Sequence, residues 1–532
     1  MFSNKENVNI LTALLSKYGV QHAVVCPGSR NAPIVHNLNE CAGIACHPVT
    51  DERSAGFYAL GMAQNNIRPV AVCVTSGTAL LNLLPAVAEA RYQHVRLIVI
   101  SADRPPQWIG QQDGQTIPQQ DALGRFVKKA VTLPEPHDDE ERWYCNRLVN
   151  EALVACISHG GGPVHINVPI SEPLYEFTVA QLPEERSIWT RYRNDLWSDE
   201  VRYIRDRLKE AQRPLIVMGQ MEITDMASIG KTTPNRNGFV LCEPLSQEMS
   251  YGLDELMAAV EGDERFVPDF VLYIGGHIVS KRLKQFLRKA ERAEMWQISI
   301  DGELHDTFMH VSYIIEGEPA SRDEIIEFPD GTEGDYFRLW ADAYERVKRQ
   351  LREQPLAYSA DAVVRHFEQE LDKREPEEFY IRHYANSTAV RLGCRYAKRY
   401  IWCNRGVNGI EGSLSTAAGC SLMEPEAITF CVIGDLSFFY DSNALWNAEL
   451  KGNLRILLLN DGGGAIFKKF HGLQQSAARG MIVGEHQTSA VDTCRQYHAA
   501  YRQARNMQEA EEGIDWLLQS ESDRPMLLEV ML

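Results

Sequence analysis

Short apolar runs and helically spaced stretches alternate along this chain in three successive blocks. Near-continuous apolar runs at 22–26, 69–74, 95–101 and 163–168 predict strands buried on both faces. A shorter run at 44–47 adds a further strand, and the patterns at 54–64 and 80–91 predict helices between strands. After a polar connector at about 177–198, the runs resume at 214–218, 239–242, 270–274 and 295–300. An acidic stretch with Pro and Gly, 316–335, leads into a charged helix predicted over 336–353. The third block opens near 359 and carries strands at 427–433, 454–459 and 526–530. Strands alternating with helices imply parallel sheets joined by crossovers. The expected fold is therefore α/β, with three doubly wound parallel-sheet domains at residues 1–176, 177–353 and 354–532.

Composition narrows the class. With 532 residues the chain is too long for one core. A net charge of −18 argues against nucleic acid and anionic membrane surfaces as partners, so any anionic substrate needs a local basic pocket. No apolar window is long enough for a membrane span, and residues 1–10 lack an apolar signal core, so a cytoplasmic protein is expected. The twelve cysteines contain no Cys-x-x-Cys pair and several sit inside apolar runs, which reads as reduced core thiols.

The chemistry concentrates where two strands of the third block end. One run stops at Gly434-Asp435-Leu436-Ser437 and the next at Asn460-Asp461-Gly462-Gly463-Gly464, with room for one helix, predicted over 440–450, between them. Strand ends of this kind deliver oxygen ligands, and hard oxygens are what magnesium takes. A pair of ordinary strand-to-helix turns would look alike in isolation. In the first block, Asp51-Glu52-Arg53 follows a short strand and opens a helix, a position where a carboxylate is usually an exposed cap.

This pairing resembles the thiamine-diphosphate motif, Gly-Asp-Xaa followed after such a gap by Asn-Asn, here with Asp461 in place of the more usual Asn. The resemblance implies a thiamine-diphosphate-binding fold in which Asp435, Asp461 and the Gly463 carbonyl hold the metal against the diphosphate. It also implies that Glu52 meets the aminopyrimidine nitrogen N1′ and drives removal of the cofactor's C2 proton. Cys26-Pro27-Gly28-Ser29-Arg30, Thr75-Ser76-Gly77-Thr78, Ser101-Ala102-Asp103-Arg104-Pro105, Gln115, Asn386-Ser387 with Arg391, Asn404-Arg405-Gly406 and Ile466-Phe467 narrow it further. Together they are similar to the menaquinone-pathway 2-succinyl-5-enolpyruvyl-6-hydroxy-3-cyclohexene-1-carboxylate synthases, over essentially the whole chain. That family joins 2-oxoglutarate to isochorismate with loss of CO2, in homodimers or homotetramers whose active sites lie between subunits. By matching positions, the resemblance assigns the cofactor to Glu52, Thr75, Gly77, Ile410, Gly434, Asp435, Leu436, Ser437, Asp461, Gly463 and Ile466. It assigns substrate to Ser29, Arg30, Arg104, Gln115, Lys281, Arg282, Ser387, Arg391, Arg405, Ile466 and Phe467. Arginine forks suit this task because both substrates are dicarboxylates.

Other signals fail. Gly230-Lys231-Thr232 lacks the earlier glycine and the strand of a phosphate loop, and Gly275-Gly276 lacks the rest of a dinucleotide fingerprint. No Gly-x-Ser-x-Gly elbow is present, and the 15 histidines show no His-x-x-x-His spacing. Two rivals remain: a different thiamine-diphosphate decarboxylase or carboligase, which would need fewer arginines, and a non-catalytic binding protein of the same fold. The second would be signalled by loss of Glu52 or Asp435, and both are present.

Overall fold

The computed structural model describes all residues except 65, 67, 191–195, 197, 222–239, 247–249, 318–333, 376–378 and 469–470. Three parallel sheets carry the chain. The first comprises β1 (His22–Val25), β2 (Ala45–Pro48), β3 (Val70–Val74), β4 (Leu97–Asp103), β5 (Lys129–Thr132) and β6 (Val164–Pro169), in the order β2-β1-β3-β4-β6-β5. The second holds β7 (Pro214–Met218), β8 (Val240–Cys242), β9 (Phe270–Ile274), β10 (Glu294–Ser299) and β11 (Val311–Glu316), ordered β11-β10-β9-β7-β8. The third holds β12 (Tyr380–Tyr384), β13 (Ile428–Gly434), β14 (Leu454–Asn460), β15 (Ala500–Ala504) and β16 (Met526–Met531), ordered β12-β13-β14-β16-β15. Every strand pair is parallel, for example Gly434 opposite Leu459 where β13 meets β14.

Burial on both faces explains the apolar runs. Along β3, Val70, Val72 and Val74 enter one core while Ala71 and Cys73 enter another. β4 alternates likewise, with Leu97 and Val99 on one side and Ile98 and Ile100 on the other. Among the described residues no helix is long and apolar enough to cross a membrane. The Gly230-Lys231-Thr232 segment lies outside the described residues.

The first and third units are locked by a close helix crossing. Helix Glu52–Gln64 meets helix Ser413–Met423 at two glycines. A Cβ on Gly61 would lie 1.9 Å from the Thr416 carbonyl oxygen, and one on Gly419 would lie 2.1 Å from that of Tyr58, so only hydrogen fits. Tyr58 Oη donates to the Ala444 carbonyl at 2.6 Å, and Asn443 Nδ2 to Asp51 Oδ2 at 2.9 Å. On the central unit, helix Asp335–Glu353 docks through Trp340, which packs edge-on to Phe266 at 4.7 Å.

Two sequence expectations need correction. Instead of one helix over 440–450, the connection after β13 is a short helix, Asp435–Tyr440, then a 3-10 turn, Ser442–Leu445. Tertiary contacts compete with helix here: buried Asp441 accepts from the Ser415 N–H at 2.7 Å and its hydroxyl at 2.8 Å, and burial pushes its carboxyl up to about 6. The helix expected over 80–91 is instead two helices, Thr78–Asn82 and Leu84–Gln93. Pro85 opens the second because it lacks an N–H and its ring crowds the preceding turn.

Candidate functional site

Candidate residues of the first unit gather at one end of its sheet. The loops leaving β2, β1, β3 and β4, neighbours in that order, carry Glu52, Ser29 with Arg30, Thr75 with Gly77, and Arg104. Ligand crevices form outside the carboxyl ends of parallel strands, which is where these loops sit. The loops touch each other. A Cβ on Gly28 would fall 2.4 Å from Thr75 Cβ, so the Pro27–Ser29 turn requires glycine to reach the β3 loop. Glu52 begins its helix half-buried and accepts from Asn82 Nδ2 at 3.2 Å.

A buried polar chain ties two of these loops together. Gly77 N–H donates to Gln119 Oε1 at 2.6 Å, and Gln119 Nε2 to Asn167 Oδ1 at 2.8 Å. Asn167 Nδ2 then donates to Asp103 Oδ2 at 2.9 Å, whose other oxygen takes the Arg104 N–H at 2.8 Å. Burial raises the Asp103 carboxyl, and Asn167, the Arg104 amide and Arg30 pull it back. Arg104 itself is half-buried, with Nε 3.5 Å from Asp113 Oδ2. Arg30 is 5% exposed and already occupied, donating to the Ile170 carbonyl at 2.8 Å and to Glu172 at 2.9 Å. Ser29 and Gln115 are exposed, and Gln115 donates to the Ser76 carbonyl at 3.2 Å.

The third unit repeats the arrangement. Loops leaving β12, β13 and β14 bring Ser387 and Arg391, Gly434 to Ser437, and Asp461, Gly463 and Ile466 side by side. Asp435 is the hub at 2% exposure. One of its oxygens takes the Leu436 N–H at 2.6 Å; the other takes those of Asp461 at 3.1 Å and Gly463 at 3.0 Å. A carboxylate offers about four lone-pair sites, so three N–H donors leave capacity for a cation. Gly463 has φ 150°, a conformation reserved for glycine, and a Cβ on Gly434 would point into open space. The remaining lone-pair capacity of Asp435 and the open space at Gly434 are compatible with a hard cation and a bulky anion. Ser437 Oγ donates to the Ile410 carbonyl, and the Ile410 and Phe467 side chains are each 39% exposed.

Arginines 391 and 405 fall in one charged neighbourhood. Arg405 is 8% exposed, donates to Asn386 Oδ1 at 3.0 Å, and leaves its Nε without a hydrogen-bond partner among the described residues. Asn386 in turn donates to the Asn404 carbonyl at 2.5 Å and that of Gly409 at 2.7 Å. Lys284 is held below its ordinary value by burial first and then by the charge of Arg405, with Arg391 contributing. His277 is pushed down to about 4 by burial and by the same Arg405 charge. Ser387 has φ 72° and ψ −122°, and Gln115 has φ 61°. Strain of this kind at non-glycine positions collects at functional sites. Lys281 and Arg282 are not part of this cluster in the single chain. They stand exposed on the first turn of helix Lys281–Lys289, with Arg282 paired to Asp254.

Several residues escaped sequence reasoning. His486 Nε2 lies 3.4 Å from Asp435 Oδ2, and since Nδ1 accepts from the Thr488 N–H at 3.1 Å, its proton faces the carboxylate. Buried Glu529 accepts from Asn460 Nδ2 at 2.7 Å, steadying the residue before Asp461. Nothing local in the sequence marks either one. Glu89 did leave a signal, an acid on the apolar face of its helix beside Ala86, Val87 and Ala90. A cavity of about 570 Å³ also opens where β7, β9 and β10 end, and its lining includes His277, Lys284 and Cys403, which border the Arg405 neighbourhood.

Comparison with known proteins matches the two ends of the chain. Residues 6–123 match the N-terminal binding domain of thiamine pyrophosphate enzymes, and residues 385–530 match the C-terminal one. Similar full-length proteins include one from Bacteroides thetaiotaomicron, 43% identical over 549 residues, covering 100% of this chain and 96% of the relative. One from Bacteroides fragilis is 44% identical over 550 residues with the same coverage. A more distant protein from Desulfotalea psychrophila is 32% identical over 557 residues, covering 99% and 98%. All three are named 2-succinyl-5-enolpyruvyl-6-hydroxy-3-cyclohexene-1-carboxylate synthase.

Proposed function

The chain belongs to the 2-succinyl-5-enolpyruvyl-6-hydroxy-3-cyclohexene-1-carboxylate synthase family of thiamine-diphosphate enzymes, and from that membership we propose that it decarboxylates 2-oxoglutarate and adds the four-carbon remainder to isochorismate in menaquinone biosynthesis. It is a thiamine-diphosphate-dependent, carbon–carbon bond-forming synthase. Thiamine diphosphate, when bound, supplies the electron sink for loss of CO2. The protein's own part is to hold, orient and move protons.

Asp435, Asp461 and the Gly463 carbonyl would hold magnesium or manganese, both of which take hard oxygen ligands. Asp461 brings an additional charge where an amide is usual, which favours the cation and disfavours the diphosphate beside it. Glu52 would hold a proton between its carboxylate and N1′ of the cofactor. Thr75, Gly77, Leu436, Ser437, Ile410 and Ile466 would line the cofactor, and the pyrimidine- and diphosphate-binding parts correspond to residues 1–176 and 354–532, with 177–353 between. Ser387, Arg391 and Arg405 would orient substrate carboxylates, joined by Ser29, Arg30, Arg104, Gln115, Lys281, Arg282 and Phe467.

The observation that carries the substrate reading is the Arg405 guanidinium, buried with Nε unpaired among the described residues. A buried donor without a partner costs about 1–3 kcal/mol, which a ligand carboxylate would recover. Exposed Ile410 and Phe467 support a site completed by a second subunit, in a homodimer or homotetramer. Twelve free cysteines are in keeping with a cytoplasmic setting.

The test is an assay of purified protein with thiamine diphosphate, magnesium, 2-oxoglutarate and isochorismate, following CO2 release and isochorismate loss together. Both signals should appear only with all components present. CO2 without isochorismate loss would mean a different acceptor, and silence with cofactor bound would overturn the substrates. In that assay, Arg405→Ala and Arg391→Ala should each raise a substrate KM about tenfold or more, the worth of a charged hydrogen bond. Cofactor affinity should stay within about twofold, since neither side chain belongs to the metal motif.

A further inference from the structure

The turn that carries Arg405 is fixed from outside its own unit. Glu89, on helix Leu84–Gln93 of the first unit, is 3% exposed. Its two oxygens accept the backbone N–H groups of Gly406 at 2.6 Å and Val407 at 2.7 Å, and Gln93 Nε2 donates to the same carboxylate. Gly406 is pressed against that helix. A Cβ there would lie 2.7 Å from the Glu89 carbonyl oxygen and 3.0 Å from Tyr92 Cβ. From the central unit, Gln220 Nε2 donates to the Cys403 carbonyl at 3.0 Å. Both flanks of Asn404-Arg405 are therefore held by side chains of the other two units.

A carboxylate is costly to bury unless its oxygens are fully bonded. Burial raises the Glu89 carboxyl, and the two amides, Gln93 and the Arg405 charge draw it back toward the anion. Glutamine would be the cheaper residue at this depth, but it has one acceptor oxygen where two adjacent N–H groups need two. The acid is what lets both amides of the turn be gripped at once.

We propose that Glu89 is a positioning residue: it locks the 404–407 turn so that the Arg405 guanidinium meets a substrate carboxylate in a single geometry. The inference rests on the substrate role given to Arg405 above. Glu89 does not touch substrate, and its effect passes through the backbone of Gly406 and Val407.

The test is Glu89→Gln in the full-length holoenzyme, read two ways. Backbone amide exchange at 404–408 should rise by about tenfold or more while exchange at 435–437 stays unchanged. Substrate KM should rise about tenfold, with kcat within about threefold and thiamine diphosphate affinity within about twofold. In an Arg405→Ala background, Glu89→Gln should change KM by less than about twofold, because the two act as one unit. If the Glu89→Gln chain does not fold, Gly406→Ala displaces the same turn from its other side and should give the same KM split. Unchanged exchange at 404–408 would overturn the clamp. A fall in kcat or in cofactor affinity at constant KM would overturn the positioning role. Should the wild type leave isochorismate unconsumed, the substrate reading is what fails, and the exchange result alone decides the clamp.

Discussion

Glu52→Gln is expected to lower turnover by about 10²–10⁴-fold, the range that a positioned proton-transfer group contributes. The fold should survive. Glu52 is half-buried at a helix start, and its one hydrogen bond, from Asn82 at 3.2 Å, can be made by a glutamine oxygen. The amide cannot take up a proton, so deuterium exchange at C2 of bound thiamine diphosphate should slow in parallel with turnover. Cofactor affinity should change by less than about tenfold, since the metal motif is untouched. Near-normal turnover would remove Glu52 from the chemistry and leave it a helix cap.

Asp435→Asn should be as damaging for a different reason. The carboxylate takes three backbone N–H bonds, from Leu436, Asp461 and Gly463, on its two oxygens. An asparagine must turn its NH2 toward at least one of those donors, leaving a buried donor unpaired at about 1–3 kcal/mol, and it loses the charge that attracts a divalent ion. Manganese affinity, read by the electron paramagnetic resonance of the free ion, should fall about 100-fold. Cofactor-dependent thermal stabilisation should disappear with it. Retention of metal affinity would show that the cation is held elsewhere.

Sequence patterning found the interior of each sheet and missed particular edges. β3, β4, β9, β13, β14 and β16 are flanked by neighbours and covered on both faces, so they read as continuous apolar runs. The strands that left no such signal, β5, β11, β12 and β15, all lie at sheet edges. Three of them are partly exposed and need only a few apolar positions. β12 is buried but holds Arg382 in mid-strand, neutralised by Glu375 at 3.0 Å and Glu368 at 3.4 Å, and that charge breaks the apolar run by which an interior strand is recognised.

Site residues divide along the same line. As candidates, Asp435 and Asp461 were legible because each stands at the end of an apolar run, whereas Glu52 and Gly463 drew notice only through the family resemblance. Arg391 and Arg405 were legible as types but not as neighbours; only folding brought the charges of both to bear on Lys284. The strained backbone at Ser387 and Gln115 has no counterpart in their residue types. Arg30 and Arg104 carry similar motifs, yet one is buried and bonded to a carbonyl while the other stays half-open.

By itself the sequence determined which stretches are the interior strands between crossovers and which of their ends carry oxygen donors and guanidinium groups, because these depend on the period of burial and on residue chemistry. Tertiary structure decided what spacing cannot encode: that Glu89 grips Gly406 across 317 positions and Tyr58 reaches Ala444 across 386. Such contacts are selected by the mutual packing of whole helices, as at Gly61 against Thr416 and Gly419 against Tyr58, where the absence of a single Cβ sets how closely two units approach.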